Sequence, residues 1–217
     1  MNKYLAIFGK PRYLGIFAYN PEEQIAKGTT VVVESHRGEE TAVVAGILTP
    51  EQEAEYRLLR NAAEHGDSSS KTTEPLVTDL TFISFATDED MQMAEEYREE
   101  ERKILKSAIE LLKPHELDMK LIDVEFLRHR RKLFFYFSSE QRVDFRAYVR
   151  DLAREFKTRI ELRQIGVRDE AKIIKVLGPC GQPCCCIYWR HQFAPICFKM
   201  VKEQIPAHNP SNISGIC

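Results

Sequence analysis

Cysteine is the residue type in this sequence with the most evident capacity for chemistry. All six cysteines lie within the last 38 of 217 residues, whereas the disulfides of a secreted protein are spread through the loops that they close. Clustered thiolates without a paired histidine motif favour zinc or an iron–sulfur cluster. The sequence therefore predicts a metal centre, with simple packing of single thiols and thiol redox chemistry as the alternatives. The six residues are Cys180, Cys184, Cys185, Cys186, Cys197 and Cys217.

The backbone around these thiols is suited to a tight loop. The stretch Gly178–Pro183 combines prolines that fix φ with glycines that allow positive φ. Cys180 could thereby fold around a centre that the Cys184–Cys186 run also reaches. The spacing is neither that of a tandem CxxC zinc ribbon nor that of a ferredoxin. Because adjacent residues of an extended segment point to opposite faces, Cys185 and Cys186 would not easily bind one atom, which suggests two centres or ligands shared with a partner chain.

A second group of candidate binding residues is basic. Arg146, Arg150 and Arg154 follow one another at intervals of four, and Arg142 lies one turn ahead. On a helix this spacing places them on one ridge. The ridge can bind the phosphates of nucleic acid or an acidic protein, or it can be a plain solvated face, because acidic residues such as Asp151 dilute its charge.

The elements that precede these groups begin with a predicted β-rich unit over residues 1–65. Four β-branched or aromatic runs separated by turn signals predict a small antiparallel sheet or barrel, and a short acidic helix follows over Pro50–Glu64. Residues 66–76 are polar and rich in breakers, and they are the predicted linker. The four runs are Tyr4–Phe8, Tyr13–Tyr19, Thr29–Glu34 and Thr41–Leu48.

Residues 77–177 are predicted to form a second unit, followed by a Cys-rich tail over residues 178–217. The order strand, helix, hairpin, helix, strand predicts an α+β sandwich in which both helices cover one face of an antiparallel sheet. The chain as a whole is therefore assigned to the α+β class. The predicted elements are a strand over Leu76–Ala86, a helix from the capping-box-like Thr87–Asp90 to about Lys113, a hairpin of Asp118–Leu127 and Lys132–Ser138, a helix over 144–157 with Asp144 as N-cap, and a strand over Arg159–Ile165.

Composition restricts the class of function. The net charge of −2 hides a net charge of −9 in residues 1–117 and +7 in residues 118–217, so the two halves attract each other or meet different partners. No apolar run approaches the roughly 20 residues that span a bilayer, and Met1–Phe8 is too short for a signal-peptide core. We expect a cytoplasmic protein without membrane insertion. The sequence has no CxxC pair, nucleotide loop or motif-borne carboxylate dyad, so an enzyme is not expected, and a thiol oxidoreductase is the enzymatic alternative.

Several long motifs resemble those of a known bacterial family. They are Glu161–Ala171, Gly178–Cys186, Lys199–Gln204 and Asn209–Cys217, together with Leu117–Leu121 and Arg142–Arg146. They are similar to the RicT (YaaT) family, which carries the polymerase-suppressor (PSP-type) C-terminal domain. The resemblance covers nearly all of the chain. Members of that family continue beyond the final motif into another cysteine-bearing segment, so the sequence is expected to be a short member or a piece of a longer chain.

The resemblance implies a cytoplasmic regulatory adaptor, not a catalyst. It implies [4Fe–4S] cluster binding through Cys180, Cys185, Cys186 and Cys217, with Cys184 and Cys197 as departures from the motif and alternative ligands. It also implies assembly with small helical RicA-like and RicF-like proteins, and adjustment of RNase Y-dependent mRNA processing linked to sporulation and biofilm formation. The alternative interpretation is an RNA-binding module in which the thiols hold a structural zinc ion.

Overall fold

A computed structural model of the chain describes residues 1–20, 24–64, 77–139, 141, 143–178 and 180–189, apart from the side chains of residues 59–64, 167, 168, 186 and 189. Within these residues, helices and strands build two sheets, which confirms the α+β class. The predicted linker and Arg142, Cys197 and Cys217 lie outside the described residues. The unit boundaries expected from the sequence stay predictions.

The first sheet has six strands and curls into a barrel. Its strands are β1 (Asn2–Phe8), β2 (Tyr13–Tyr19), β3 (Thr30–Ser35), β4 (Gly38–Leu48), β5 (Val77–Asp79) and β6 (Thr81–Phe85), and α1 (Pro50–Glu64) lies between β4 and β5. The strand order is β5-β2-β1-β4-β3-β6. The interior is filled by buried side chains such as Tyr4, Phe17 and Val31. On the outer face, Tyr56 of α1 packs against a second apolar cluster, so the predicted helix covers the sheet as expected.

One short segment spans both edges of this sheet. β5 pairs parallel with β2, β6 pairs antiparallel with β3, and a single residue, Leu80, separates β5 from β6. The Leu80 N–H donates to the Ile16 carbonyl (2.9 Å). The Phe82 ring lies 4.5 Å from that of Tyr19, between centroids. The predicted barrel-like sheet is therefore present, with one parallel pair among antiparallel ones.

The placement predicted for the strand Leu76–Ala86 is wrong. We expected it to open the second unit, but β5 and β6 both belong to the first sheet. Leu80 is buried in the barrel core, and Phe82 packs against that core. Alternation predicts a strand, but it carries no information about which sheet the strand joins, and here burial in the barrel decides it.

The helix α2 (Asp88–Leu112) leads from the first sheet to the second. It begins with the predicted capping box: the Thr87 hydroxyl accepts from the Asp90 N–H (3.3 Å), and the Asp90 carboxylate accepts from the Thr87 N–H (3.0 Å). It ends in a 3₁₀ turn over Lys113–His115 that contains Pro114, where a continued α-helix would require a proline N–H. Among the described helices, none is both long enough and apolar enough to cross a membrane.

The second sheet has three strands in the order β7 (Lys120–Phe126), β8 (Leu133–Ser138) and β9 (Ile160–Gln164), with α3 (Arg146–Phe156) between β8 and β9. The predicted hairpin of β7 and β8 is confirmed. The prediction of a purely antiparallel sheet is wrong, because β9 pairs parallel with β8. A helical crossover between neighbouring strands returns the chain in the same direction, so α3 makes this pair parallel.

Both faces of the second sheet are covered. As predicted, α2 and α3 share one face, where Ala108, Tyr148 and Leu152 are buried, and the Tyr148 hydroxyl donates to the Ala108 carbonyl (2.7 Å). The other face packs against α4 (Val167–Ile174) and against turns of the barrel. All of Leu133–Phe137 is consequently buried. The predicted cap of α3 is displaced by one residue: Phe145 is the N-cap.

Candidate functional site

The cysteine segment forms a small hydrogen-bonded loop after α4. Leu177 and Pro183 form an isolated antiparallel bridge. The Gly178 N–H donates to the Gln182 carbonyl (2.8 Å), and the Gly181 N–H donates to the Gly178 carbonyl (3.0 Å). Gly181 has a φ of 76°, a conformation that glycine adopts at little steric cost. The predicted turn chemistry therefore holds, and the loop presents Cys180 at its exposed tip.

The described thiols differ in their environment. Cys184 is 1% exposed, and its N–H donates to the Val176 carbonyl (3.0 Å). Cys180 and Cys185 are exposed and form no disulfide. Burial of Cys184 beside the buried Ile187 is what an apolar residue would do at this position. Cys180 and Cys185 are thus the accessible thiols of the described loop.

The backbone from Cys185 to Trp189 is a short helix, α5, so the expectation of an extended segment at Cys185–Cys186 is wrong. The Ile187 N–H bonds to the Cys184 carbonyl (2.9 Å) and tightens this turn. Exposed thiols flanking a glycine-containing loop suit a thiolate-ligated centre. Within the described residues, no three cysteine, histidine or carboxylate side chains are arranged to hold a metal ion. The expected ligand set stays a prediction, because it includes Cys217 and the side chain of Cys186, which lie outside the description.

The predicted arginine ridge lies on the outer face of α3. The Arg146 side chain is 89% exposed and that of Arg154 is 82% exposed, and Arg150 is also exposed. Their ion pairs with nearby carboxylates are long: Arg146 Nε lies 3.8 Å from Oδ1 of Asp144, which precedes the helix, and Arg154 Nη1 lies 3.4 Å from Asp151 Oδ1. These guanidinium groups therefore remain accessible to a partner.

Sequence reasoning missed a third group, a buried ionic cluster that joins the two sheets. We call it the junction cluster. It comprises Lys10 and Arg37 from turns of the barrel, Glu40 from β4, Glu101 from α2, Asp123 and Glu125 from β7, and Tyr136 from β8. Two cations here face four carboxylates, so the cluster has an excess of acid. No local signal identifies it, because hydrogen-bonded partners within it are up to 115 residues apart in sequence.

Lys10 binds one side of the junction. Its Nζ lies 2.9 Å from Glu101 Oε2 and 2.8 Å from Asp123 Oδ1, and its backbone N–H donates to Glu125 Oε1 (3.0 Å). Burial alone lowers the pKa of Lys10, but the charges of Glu101 and Asp123 outweigh it, and the pKa is raised. Lys10 is therefore a permanent cation of the interface.

Arg37 binds the other side and is buried, with its side chain 1% exposed. Its Nη2 donates to Glu125 Oε2 (2.6 Å), and its Cζ lies 4.5 Å from the centre of the Phe134 ring, a cation–π distance. Glu125 Oε2 also accepts from the Tyr136 hydroxyl (2.5 Å). Burial raises the pKa of Glu125, but the Arg37 charge and the Tyr136 hydrogen bond lower it further than burial raises it.

Glu40 is the poorly satisfied member of the junction cluster. Ser35 Oγ donates to its Oε1, but its Oε2 is 3.6 Å from Arg37 Nη1, and neither of these two atoms has a hydrogen bond. Burial raises the pKa of Glu40 to about 7, although the charge of Arg37 lowers it and that of Glu125 raises it. The junction therefore contains a carboxyl group that exchanges its proton near neutral pH.

Comparison with known proteins shows what the chain is similar to. Residues 81–165 match the model described as the PSP1 C-terminal conserved region. Stage 0 sporulation protein YaaT of Bacillus subtilis (strain 168) is 49% identical over 134 residues, which are 62% of this chain and 49% of that protein. The chain is therefore similar to YaaT (RicT) and carries a PSP1-type region. The resemblance recognised in the sequence motifs is thereby confirmed.

The other comparisons are more limited. An uncharacterized protein of Schizosaccharomyces pombe (strain 972) is 45% identical over 49 residues, which are 23% of this chain and 6% of that protein. The chain spans about half the length of the Bacillus subtilis relative. No solved structure matches it.

The charge asymmetry of this chain acts partly within the molecule. Arginines of the turn between β7 and β8 pair with carboxylates of the acidic half: Arg128 with Asp90 (2.7 Å), Arg130 with Glu100 (2.6 Å) and Arg131 with Glu39 (3.3 Å). The attraction expected between the halves is present there. Two pairs of the junction cluster have the opposite arrangement, because Lys10 and Arg37 are cations of the acidic half and their partners Asp123 and Glu125 are anions of the basic half.

Proposed function

We propose that this protein is a non-catalytic, cytoplasmic regulatory adaptor that binds a [4Fe–4S] cluster through Cys180, Cys185, Cys186 and Cys217. In this proposal it assembles with small helical RicA-like and RicF-like proteins and modulates RNase Y-dependent mRNA processing. The observation that carries the proposal is the contrast in exposure between Cys180 and Cys185, on one hand, and Cys184 on the other. The Bacillus subtilis relative is named for sporulation, which supports a regulatory role.

The contrast in exposure agrees with the ligand set that the family motif implies. A ligand must be reachable by the metal. Cys180 and Cys185 are exposed and meet this condition. Cys184 is buried where the family usually has an apolar residue, so we assign it to packing. The cluster would supply a redox-sensitive centre, and the chain would supply the thiolates and the loop.

The proposed mechanism couples cluster binding to assembly. The four expected ligands extend from Cys180 to Cys217, so binding them to one centre ties the described loop to the C-terminal segment. Metal-binding free energy is then also the free energy that orders the segment. We propose that the ordered segment is the docking surface for the helical partners, and that oxidation of the cluster weakens assembly.

The test is anaerobic purification of the chain alone and with co-expressed helical partners, followed by a visible spectrum and analysis of iron, sulfide and zinc. We expect brown protein with equal iron and sulfide. Cys180→Ser and Cys185→Ser should lose the iron. The matched control Cys184→Ala, which replaces a packed thiol by a small apolar side chain, should keep it.

Three outcomes contradict parts of this proposal. Colourless protein with about one zinc ion per chain would favour a structural zinc site instead. Loss of iron in Cys184→Ala to the same degree as in Cys180→Ser would refute the assignment of Cys184 to packing. Loss of iron in Cys180→Ser without loss of partner affinity would refute the coupling of cluster binding to assembly.

The second candidate function is an RNA-binding module whose thiols hold structural zinc. The observation that favours it is the accessible arginine ridge of α3. The same metal analysis separates the two candidates, because a zinc site is colourless and contains no sulfide.

A further inference from the structure

The charge of α2 changes sign abruptly along the helix. Its residues 88–101 carry eight acidic side chains and one basic one, whereas residues 102–113 carry four basic side chains and one acidic one. The change falls between Glu101, which is buried against Lys10, and Arg102, which is exposed. The four cations of the second half are exposed, and they are Arg102, Lys103, Lys106 and Lys113.

The basic half of α2 and the outer face of α3 form one surface. Both helices cover the same face of the second sheet, and they are joined side by side through the Tyr148 hydroxyl on the Ala108 carbonyl (2.7 Å) and His115 Nε2 on Asp151 Oδ2 (2.9 Å). Their outward sides therefore lie next to each other. From 146 to 157, α3 and its C-cap add four basic side chains and two acidic ones. We call this the cationic face, and it is carried by a protein whose net charge is −2.

The helix dipole does not account for this pattern. Acidic residues at the start and basic residues at the end of a helix are favourable, but the effect is confined to about one turn at each end. Arg102 and Lys106 lie in the middle of the 25-residue α2, and Arg146 lies at the N-terminal end of α3, where a cation is unfavourable. The cationic face therefore has a stability cost, which an external anionic partner would explain.

The chemistry of the surface favours phosphates over an acidic protein. Protein interfaces depend on buried aromatic or aliphatic anchors. Among the described residues 102–113 and 146–157, Ile109 is the one exposed large apolar side chain, and one such side chain does not form a cluster of anchors. The α3 arginines are four residues apart, which corresponds to about 6 Å along a helix, and a guanidinium binds phosphate oxygens through two parallel hydrogen bonds. The face offers repeated contacts to a charged backbone and no stacking platform for bases.

We propose that the cationic face binds the phosphate backbone of single-stranded RNA without regard to sequence. The acidic first half of α2 repels the strand and confines it to the second half of α2 and to α3. The choice of RNA among single-stranded polyanions rests on the proposed function in mRNA processing. The phosphate surface itself does not depend on the cysteines, since α2 and α3 are positioned by the core of the second sheet.

The experiment measures fluorescence anisotropy of labelled single-stranded oligouridine, with oligothymidine as a second probe, at several salt concentrations with the full chain. Wild type should bind at low salt. The double variant Arg146→Gln/Arg150→Gln should bind at least tenfold more weakly, and its slope of log affinity against log salt should be smaller by about 1.4, since each phosphate contact to a single strand contributes about 0.7. The control Lys27→Gln/Lys175→Gln removes the same charge from exposed positions elsewhere and should bind as wild type.

Each outcome of the binding experiment either supports or overturns the inference. Absence of RNA binding at low salt, or equal binding by both double variants, overturns the inference. Binding to vesicles that contain anionic lipid, without binding to RNA, also overturns it. Binding to oligothymidine without binding to oligouridine overturns it as well. Cys180→Ser/Cys185→Ser should retain wild-type RNA affinity. If this variant keeps its RNA affinity and partner assembly proves independent of metal, the proposed function is refuted, whereas the inference that the cationic face binds RNA is supported.

Discussion

Glu40 allows the electrostatics of the junction cluster to be tested by a single isosteric change. Its pKa is raised from 4.5 to about 7, so between these values the folded chain holds a proton that the unfolded chain releases. Stability from this group is then fully present below the unfolded pKa and is lost as pH rises through about 7. The difference corresponds to about 3 kcal/mol, because one pKa unit is about 1.4 kcal/mol. The groups facing Glu40 are Arg37, Glu125, Ser35 and His36.

Glu40→Gln keeps the shape of the protonated side chain and can still accept from Ser35 Oγ. We expect the variant to match wild type near pH 4, below the unfolded pKa, and to exceed it by up to about 3 kcal/mol near pH 8, where wild type must hold an ionised carboxylate in the interface. The assay is urea unfolding followed by circular dichroism across this range. Subtracting the wild-type free energy of unfolding from that of the variant at each pH removes the titration of groups common to both proteins.

The control is Glu34→Gln, which removes a charge from an exposed position on the neighbouring strand β3 and should change stability by less than about 0.5 kcal/mol. A finding that Glu40→Gln lowers stability near pH 8 by more than about 1 kcal/mol would refute the reasoning. It would mean that the pair with Arg37 stabilises the ionised carboxylate despite its 3.6 Å separation.

Three further changes test other interactions by the same unfolding measurement. Arg37→Met should cost about 3–5 kcal/mol, because it leaves buried carboxylates without a cation, whereas Arg131→Gln, at a 66% exposed side chain, should cost less than about 0.5 kcal/mol. Thr87→Ala should cost about 1 kcal/mol by removing the cap of α2, and Thr87→Ser should restore it. Tyr148→Phe should cost about 1 kcal/mol, because it removes the buried hydrogen bond from the Tyr148 hydroxyl to the Ala108 carbonyl. An unchanged midpoint in Thr87→Ala or in Tyr148→Phe would show that the hydrogen bond removed adds nothing to stability.

Elements with local signals could be predicted from the sequence. The helix Pro50–Glu64 has the predicted bounds, and the capping box at Thr87 and the hairpin around Arg128–Lys132 were recognisable from a few adjacent residues. Capping, turn chemistry and periodicity all act within one or two turns of chain. The predictions based on these signals are correct because each signal acts over that short range.

Strand partnership could be predicted less well. Alternation in Leu76–Ala86 indicated a strand, but only burial of Leu80 in the barrel determines its sheet. The parallel pairing of β9 was available from the sequence, because a helix between adjacent strands implies a crossover, and the assumption of an antiparallel sheet overlooked it. The signal lay in the order of elements, not in the residues of the strand.

The candidate sites show the same division. The arginine spacing of α3 correctly indicated an exposed ridge, since helical periodicity is local. Adjacent cysteines in the 184–186 run gave no sign that Cys184 would be buried while Cys185 remained exposed. Lys10 and Arg37 looked like ordinary turn residues, because their partners are about a hundred residues away in the chain. Only the assembled fold brings them into the junction cluster.

The closure of the barrel by β6 has a practical consequence for dividing the protein into fragments. The family match begins at Thr81, which is the first residue of β6. A fragment cut at that position would take away a strand that belongs to the other sheet, separate Phe82 from Phe17 and Tyr19, and open the barrel left behind. The region that the family model matches is therefore offset from the sheets that pack, and fragments cut at its bounds would divide a sheet.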